Sequence, residues 1–173
     1  MFNFFKNKSK SDSNKNELKD TYDGLRNLAF SRTPDKIGVT LDEDNQVYGA
    51  IVDMAIRDNR IATMAFFIDG SASLYFSNGG GILGSGQHDS VKKIVVSFLI
   101  SAHQVLPIMR LTKDFNAKPR DNHYIFYLFT RVGIYTYDMD INKYKETKET
   151  NFLFSVSQMV LTEIRKTNEK LNK

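Results

Sequence analysis

Five of the chain's ten glycines crowd into one short stretch, and this stretch is where the sequence most directly suggests ligand binding. The residues concerned are Gly79, Gly80, Gly81, Gly84, Gly86, Gln87 and His88, within the loop 78–88. A β-like pattern precedes the loop and a helical pattern follows it. Glycine-rich backbone that leads into a helix N-terminus can present several N–H groups to an anion. Lys92, in the first turn of the predicted helix, would help to attract one. We therefore predict a small-ligand or phosphate site here; the alternative is that the glycines only permit positive φ at a sharp crossover.

Two well-known phosphate-binding motifs resemble part of this loop, but the surrounding sequence fits neither of them. Gly79-x-Gly81-x-x-Gly84 matches the dinucleotide fingerprint, but the strand before it belongs to a predicted hairpin meander and no parallel strand with a terminal acidic residue follows. A P-loop needs a lysine directly after its last glycine, where this chain has Ser85-Gly86. The sequence therefore predicts no nucleotide cofactor.

The residues with catalytic or metal-binding chemistry are scattered. His88-Asp89-Ser90 are neighbours in sequence, whereas a catalytic triad is assembled in space from separate segments, so Asp89 or Ser90 is better explained as a helix N-cap. Segment 138–149 has acidic residues at calcium-loop spacing, but Lys143 stands where the loop's sharp turn needs glycine. The three histidines have no zinc spacing, and there is no cysteine. We predict no catalytic residue, no metal and no cofactor.

The apolar spacing places these residues on alternating helices and strands. A helix is predicted over 17–30, a meander of three strands over 47–56, 61–68 and 72–77, a helix over 91–106 that ends at Pro107, a hairpin over 123–129 and 134–137, and a last helix over 152–171. The order is α-β-β-β-α-β-β-α. It predicts an α+β fold with a five-stranded, mostly antiparallel sheet packed with helices, profilin- or roadblock-like in general shape.

The predicted strands also bear on oligomeric state. Ala65-Phe66-Phe67-Ile68 places apolar groups on both faces of the sheet. Such a sheet must be covered on both faces, by helices or by a second copy of the chain. This is the basis on which we predict a homodimer.

Composition and charge bound the remaining possibilities. The 173 residues fit one domain over 17–173, and the polar, lysine-rich segment 1–16 is predicted to be a disordered basic tail. Of the chain's net charge of +4, this tail contributes +3 and residues 163–173 contribute +2, which leaves the body at −1. A nucleic-acid-binding domain concentrates its basic groups on its folded face, so no nucleic-acid partner is predicted.

The N-terminus and the cysteine content bear on location. Phe2, Phe4 and Phe5 beside Lys6 give a weak indication of contact with a membrane surface. No hydrophobic segment of secretory-signal type is visible, and the lack of cysteine fits a reducing compartment. We predict a cytoplasmic protein.

One stretch also suggests a relationship. The sequence from Ala72 to Gly84, ASLYFSNGGGILG, followed by Gln87-His88, resembles an uncharacterised bacterial protein family with a SLYFS-x-GGG-I-x-G loop before a helix. The resemblance extends to 124–132 and to Ser157-Gln158, and so covers roughly 47–165. It implies one shared domain, and it implies no activity.

These observations lead to one main functional prediction and two alternatives. The main prediction is a non-catalytic interaction or regulatory module that binds a protein partner or itself. The first alternative is a small-ligand or phosphate-binding protein that uses the loop 78–88, with a small anionic ligand. The second is an enzyme in which His88 acts as an acid or base.

Overall fold

The computed structural model describes residues 21–171, and the side chains up to residue 169. The elements, numbered in chain order, are α1 (Tyr22–Phe30), α2 (Pro34–Ile37), β1 (Gly49–Ile56), β2 (Arg60–Phe67), β3 (Ala72–Phe76), β4 (Gly81–Ile82), α3 (Asp89–Ser101), β5 (Arg110–Thr112), β6 (His123–Phe129), β7 (Ile134–Asp140) and α4 (Lys148–Leu171). Two 3₁₀ turns flank α3, at Ser85–Gln87 and Ala102–Ile108. The predicted basic tail, 1–16, and the predicted membrane contact at Phe2, Phe4 and Phe5 lie outside the described residues.

The strands form one open antiparallel sheet in the order β4-β3-β2-β1-β6-β7-β5. The predicted α+β class with an antiparallel sheet is confirmed. The predicted number of five strands is wrong, because the sheet has seven, and the element order differs accordingly. The two extra strands, β4 and β5, are two and three residues long, too short to produce a recognisable alternation. The four-residue helix α2 was also missed; it begins at Pro34, whose fixed φ suits a first helical position.

The first face of the sheet is covered by α3 and α4. The spacing of apolar residues in α3 directs Val91, Val95, Phe98 and Leu99 inward, and all four are buried. Phe98 stacks on Phe152 of α4 with ring centroids 5.6 Å apart. Fully burying one such side chain stabilises the fold by roughly 1.5–3 kcal/mol, so this layer forms the main core.

The second face is covered by α1, by the segment 37–41 and by the segment 113–119, which follows β5. Phe30 at the end of α1 stacks on Phe115 with centroids 4.7 Å apart, and it meets the edge of Tyr127 on β6 at 5.0 Å. Ile51, Phe67 and Phe129 belong to the same buried cluster. Both faces are thus covered within one chain, so the two apolar faces by themselves do not require a second copy.

The helix α3 departs from its prediction at both ends. Neither Asp89 nor Ser90 is the N-cap, because that position is His88, whose side chain makes no capping hydrogen bond. At the other end the α-helix stops at Ser101, and a 3₁₀ turn carries the chain through Pro107. The stretch Asp89–Ile108 has the length and apolar composition of a membrane-spanning helix, and 39% of it is buried inside the protein. The core helix of a soluble protein has the same properties, and α3 packs on the sheet in that way.

Candidate functional site

The first half of the glycine-rich loop is a β-hairpin. Gly79 and Gly80 have φ values of 94° and 78°, and together they form the tight turn after β3. The N–H of Gly79 donates to the carbonyl of Phe76 at 2.9 Å, and the N–H of Phe76 donates to that of Gly80 at 3.1 Å. Gly81 then opens β4, opposite Tyr75, where a Cβ would lie 2.5 Å from the carbonyl oxygen of Leu74. These three glycines are explained by the turn and by close packing.

The second half of the loop packs against the turn between β2 and β3, which contains Gly70. Gly84 adopts φ 73° ahead of the 3₁₀ turn, and its carbonyl accepts from the N–H of Gln87 at 3.1 Å. Gly86 lies directly on Gly70, because a Cβ there would stand 2.0 Å from the Gly70 carbonyl oxygen. The stem of Lys92 also packs on Gly70.

The structure therefore divides the predicted site residues between the two ends of β3: Gly86 and Lys92 pack on Gly70 before the strand, with Gly84, Gln87 and His88 next to them in the chain, whereas the turn of Gly79 and Gly80 follows its last residue, Phe76. Gln87 and Lys92 are exposed and His88 is half-buried, while Gly79 and Gly80 lie at the exposed tip of the hairpin. Ser85, inside the loop, is 3% exposed and its hydroxyl has no hydrogen-bond partner among the described residues. A ligand role for the loop stays a prediction, since backbone geometry alone accounts for its glycines.

A second candidate site, not predicted from the sequence, lies on the second face of the sheet. Asp53, in the middle of β1, is 1% exposed. Arg26 of α1 donates to Asp53 Oδ2 from Nη2 at 2.6 Å and from Nε at 3.1 Å. Thr63 of β2 donates to the other carboxylate oxygen at 2.6 Å. The carboxylate is thus shared between a helix and the neighbouring strand, and it attaches α1 to the sheet.

The network continues on both sides of the ion pair. The hydroxyl groups of Tyr22 and Thr63 are hydrogen-bonded at 2.8 Å. Arg26 also donates through Nη1 to the carbonyl of Phe115, and its guanidinium lies 4.7 Å from the centre of the Phe30 ring. One arginine therefore holds α1, β1 and the segment 113–119 together. Burial lowers the pKa of Arg26, but the hydrogen bond to Asp53 and that carboxylate's charge outweigh it, so the pKa is raised overall.

Two tyrosine hydroxyls beside this network are buried without a partner. Tyr75 and Tyr127 are 2% and 1% exposed, and neither hydroxyl makes a hydrogen bond of acceptable geometry within the described part of the chain. Burial, with a contribution from the Asp53 carboxylate, raises the pKa of Tyr127 to about 12, although the nearby Arg26 guanidinium lowers it in part, and burial and the Asp53 charge also raise the pKa of Tyr75. Both phenols stay protonated at neutral pH. An unpaired buried hydroxyl costs about 1–3 kcal/mol, and such groups mark places where a water or ligand belongs.

Cavities lie on either side of the segment 113–119. One, of about 380 Å³, opens beside Arg26 and Asp53. The other, of about 610 Å³, lies over β6 and β7 and includes Ile125 and Tyr127 in its lining. Ala117 and Lys118 contribute to both. Both volumes are within the range of small-molecule sites, roughly 300–1,000 Å³.

The sequence did contain a signal for this second site. Asp53 interrupts the apolar run GAIVDMAI of β1, and a carboxylate in a strand buried on both faces requires a partner. Its partner, Arg26, is 27 residues away on another element, so sequence spacing does not identify it.

The other candidate groups remain separate. Asp138 accepts from His123 at 2.7 Å and from Arg120 at 3.4 Å, while Asp140 accepts from the backbone and side chain of Asn142. These two carboxylates of the calcium-like segment therefore have different neighbours. Between residues 21 and 169, no three His, Asp or Glu side chains are grouped to hold a metal ion.

Comparisons of the chain with protein-family models, with curated proteins and with solved structures found no match. The resemblance to the bacterial family with the SLYFS-x-GGG-I-x-G loop, and the profilin- or roadblock-like shape, therefore stay predictions.

Proposed function

We propose that this protein is a non-catalytic interaction module that pairs with a second copy of itself through the outer side of α3. This α3 surface comprises Asp89, Lys92, Lys93, Val96, Ser97, Ile100 and Ser101. The observation that carries the proposal is Ile100, which is 60% exposed near the C-terminal end of α3, in a shallow and predominantly apolar depression of about 580 Å³.

The α3 surface is distinct from the core. Val91, Val95, Phe98 and Leu99 already bury the inner side of the helix, whereas Val96 and Ile100 belong to neither core cluster. A surface helix ordinarily carries polar residues on its outer side. An additional exposed apolar patch on that side is typical of an interaction site.

Charge and symmetry favour a second copy in antiparallel orientation. Lys92 and Lys93 are the fourth and fifth residues of α3, near the end where the helix dipole disfavours positive charge. In an antiparallel pair each helix places these lysines beside the negative end of its partner's helix. The two-fold axis then passes near Val96 and Ser97, and the small Ser97 lets the two helices approach closely.

The size of the α3 surface predicts a weak dimer. Thirteen residues of helix extend over about 20 Å, and two such helices bury less than the ~1,600 Å² of a standard interface. The dimer should therefore dissociate on dilution, as suits a regulatory module.

Sedimentation velocity over a range of concentrations tests this proposal. The wild-type chain should shift from monomer to dimer as its concentration rises, and Ile100→Lys should remain a monomer because the new positive charge would lie beside Lys92 and Lys93 of the second copy. Val132→Lys is the matched control, since Val132 is 56% exposed in the turn between β6 and β7. A wild-type chain that is monomeric at high concentration, or a folded Ile100→Lys chain that still dimerises, contradicts the proposal.

The alternative, a small anionic ligand held by the loop 78–88, is supported by Lys92 and by the unpartnered hydroxyl of Ser85. Titration with inorganic phosphate tests it. Gly80→Val should abolish a phosphate-dependent rise in the unfolding temperature, because valine does not readily adopt the φ of 78° found at Gly80. No neighbouring atom lies within 4 Å of an added Cβ there, so the substitution changes the backbone of the loop without a steric clash.

The proposal also includes a cytoplasmic location, supported by the absence of cysteine. A role for His88 as an acid or base becomes testable by His88→Ala only once a turnover is known.

A further inference from the structure

We propose that the cavity over β6 and β7, here called the β7 cavity, binds a small organic carboxylate. Its floor contains one row of residues that are direct neighbours across three strands. Arg110 of β5 pairs with Thr136 of β7, which in turn pairs with Tyr127 of β6. Side chains paired in this way point to the same face, with Cβ atoms about 4.5–5.5 Å apart. The row therefore presents a guanidinium, an aliphatic hydroxyl and a phenol in succession.

The hydrogen-bonding capacity of this row is unused. Within residues 21–169, the side chains of Arg110 and Thr136 make no hydrogen bond or ion pair, and the hydroxyl of Tyr127 has no partner. Arg110 is exposed and Thr136 is 7% exposed, and of the three only the Tyr127 hydroxyl is fully buried. A buried polar group normally has a partner, so the Tyr127 hydroxyl indicates that a bound molecule supplies one, within reach of the unpaired Arg110 and Thr136.

The charges around the β7 cavity favour an anion. Arg110, Lys118 and Arg120 contribute three positive charges, against Asp114 and Asp138. Arg120 is already paired with Asp138 at 3.4 Å, whereas no carboxylate of residues 21–169 lies within 4 Å of the charged groups of Arg110 and Lys118. A guanidinium binds a carboxylate through two parallel hydrogen bonds, so Arg110 is the expected primary contact.

The remaining lining defines the rest of the ligand. Ile108, Met109 and Ile125 provide apolar surface beside the charged row. A ligand that carries an apolar body on its carboxylate uses both parts of the site, whereas inorganic phosphate uses only the cations. The class is therefore a small aliphatic or aromatic carboxylate.

Titration of the full chain with acetate, hexanoate and benzoate, followed by amide chemical shifts, tests the proposal. Hexanoate or benzoate should bind saturably, with shifts at Arg110, Thr136 and Tyr127, and more tightly than acetate. Benzamide, the neutral isostere of benzoate, should bind at least tenfold more weakly, because it lacks the charge that Arg110 and Lys118 attract.

Substitutions assign the contacts. Arg110→Gln should weaken binding about tenfold or more, and Tyr127→Phe about two- to tenfold, the ratios that correspond to one charge-assisted and one neutral hydrogen bond. Tyr75→Phe is the matched control, because it removes the other unpartnered hydroxyl of the same sheet face without touching the β7 cavity. Its affinity should equal that of the wild-type chain.

Four results would overturn the proposal. They are the absence of saturable binding by all three carboxylates, binding of benzamide equal to that of benzoate, unchanged affinity in Arg110→Gln, and shifts confined to the loop 78–88 or to α3. The last result also separates this site from the phosphate site and from the dimer surface.

Discussion

Single residues decide how α1 is held on the sheet. Arg26 and Asp53 form an ion pair whose side chains are 11% and 2% exposed, and Thr63 completes the carboxylate's contacts. Removing one partner of a buried pair leaves an uncompensated charge, which typically costs about 3–5 kcal/mol. We expect Arg26→Met to lower the free energy of unfolding by about this amount, as measured by urea denaturation followed by circular dichroism.

The matched control for this prediction is Arg60→Met. Arg60 pairs with Asp58 at 3.2 Å, but their side chains are 40% and 82% exposed, so the expected cost is below about 1 kcal/mol. The double variant Arg26→Met/Asp53→Leu should recover part of the stability, because no unpaired charge then remains buried. Equal costs for Arg26→Met and Arg60→Met would show that the Asp53 pair contributes no more than a surface pair.

At the scale of single residues, the sequence identified some of the candidate site residues and not others. The glycines of the loop 78–88 stood out by their number, yet the turn and the contact with Gly70 already account for most of them. Asp53 stood out less, although its environment is the more unusual one. A backbone preference is visible locally in a sequence, whereas a buried carboxylate is defined by Arg26 and Thr63 on other elements.

At the scale of the elements, the hairpin β3–β4 and the turn after it require glycine for two different reasons, close packing and a positive φ. Gly86 packs on backbone, where an added Cβ would stand 2.0 Å from the Gly70 carbonyl oxygen. Gly79 has φ 94° but open space around it. We expect Gly86→Ala to cost about 3 kcal/mol, since two backbone segments must separate, and Gly79→Ala only about 1–2 kcal/mol of conformational strain.

Chemical denaturation of the two variants measures this difference. A cost for Gly79→Ala as large as that for Gly86→Ala would contradict this prediction. It would show that the backbone conformation of the hairpin tip contributes as much to stability as the contact with Gly70. A phosphate-dependent shift that survives in Gly86→Ala and disappears in Gly80→Val would instead favour the ligand role of the tip.

The longer elements were the predictable ones. The meander predicted over 47–56, 61–68 and 72–77 agrees closely with β1, β2 and β3, and the helix predicted over 91–106 agrees with α3 and its 3₁₀ extension. Each has enough residues for its apolar period to be seen. The strands β4 and β5 have no such period, because they exist through pairing with β3 and β7 and not through their own sequence.

On the scale of the whole molecule, the two sheet faces differ in how they are covered. The first is closed by α3 and by the 24 residues of α4, whereas the second depends on the nine residues of α1 and on the segments 37–41 and 113–119. A dimer was predicted because both faces are apolar. The structure removes that reason, and the proposed dimer depends instead on Ile100 and its neighbours on α3.

This asymmetry predicts that the molecule opens first at α1. An isolated helix shorter than about 12–15 residues is marginal in water, so α1 is helical because Arg26, Phe30 and Ala29 dock on the sheet. β1 is hydrogen-bonded on both sides, to β2 and to β6, and can open only when the sheet does. In native-state hydrogen exchange, the amides of Ala29 and Phe30 should therefore exchange at least about tenfold faster than those of Val52 and Met54.

The same measurement on Arg26→Met locates the cause. Loss of the ion pair should raise the exchange rates of α1 at low denaturant more than those of β1, while Arg60→Met should leave both unchanged. Equal rates for α1 and β1 in the wild-type chain would show that α1 separates only on global unfolding. The sheet and both its covering layers would then be one cooperative unit. The cavities beside the segment 113–119 would have to open while α1 stays docked on the sheet.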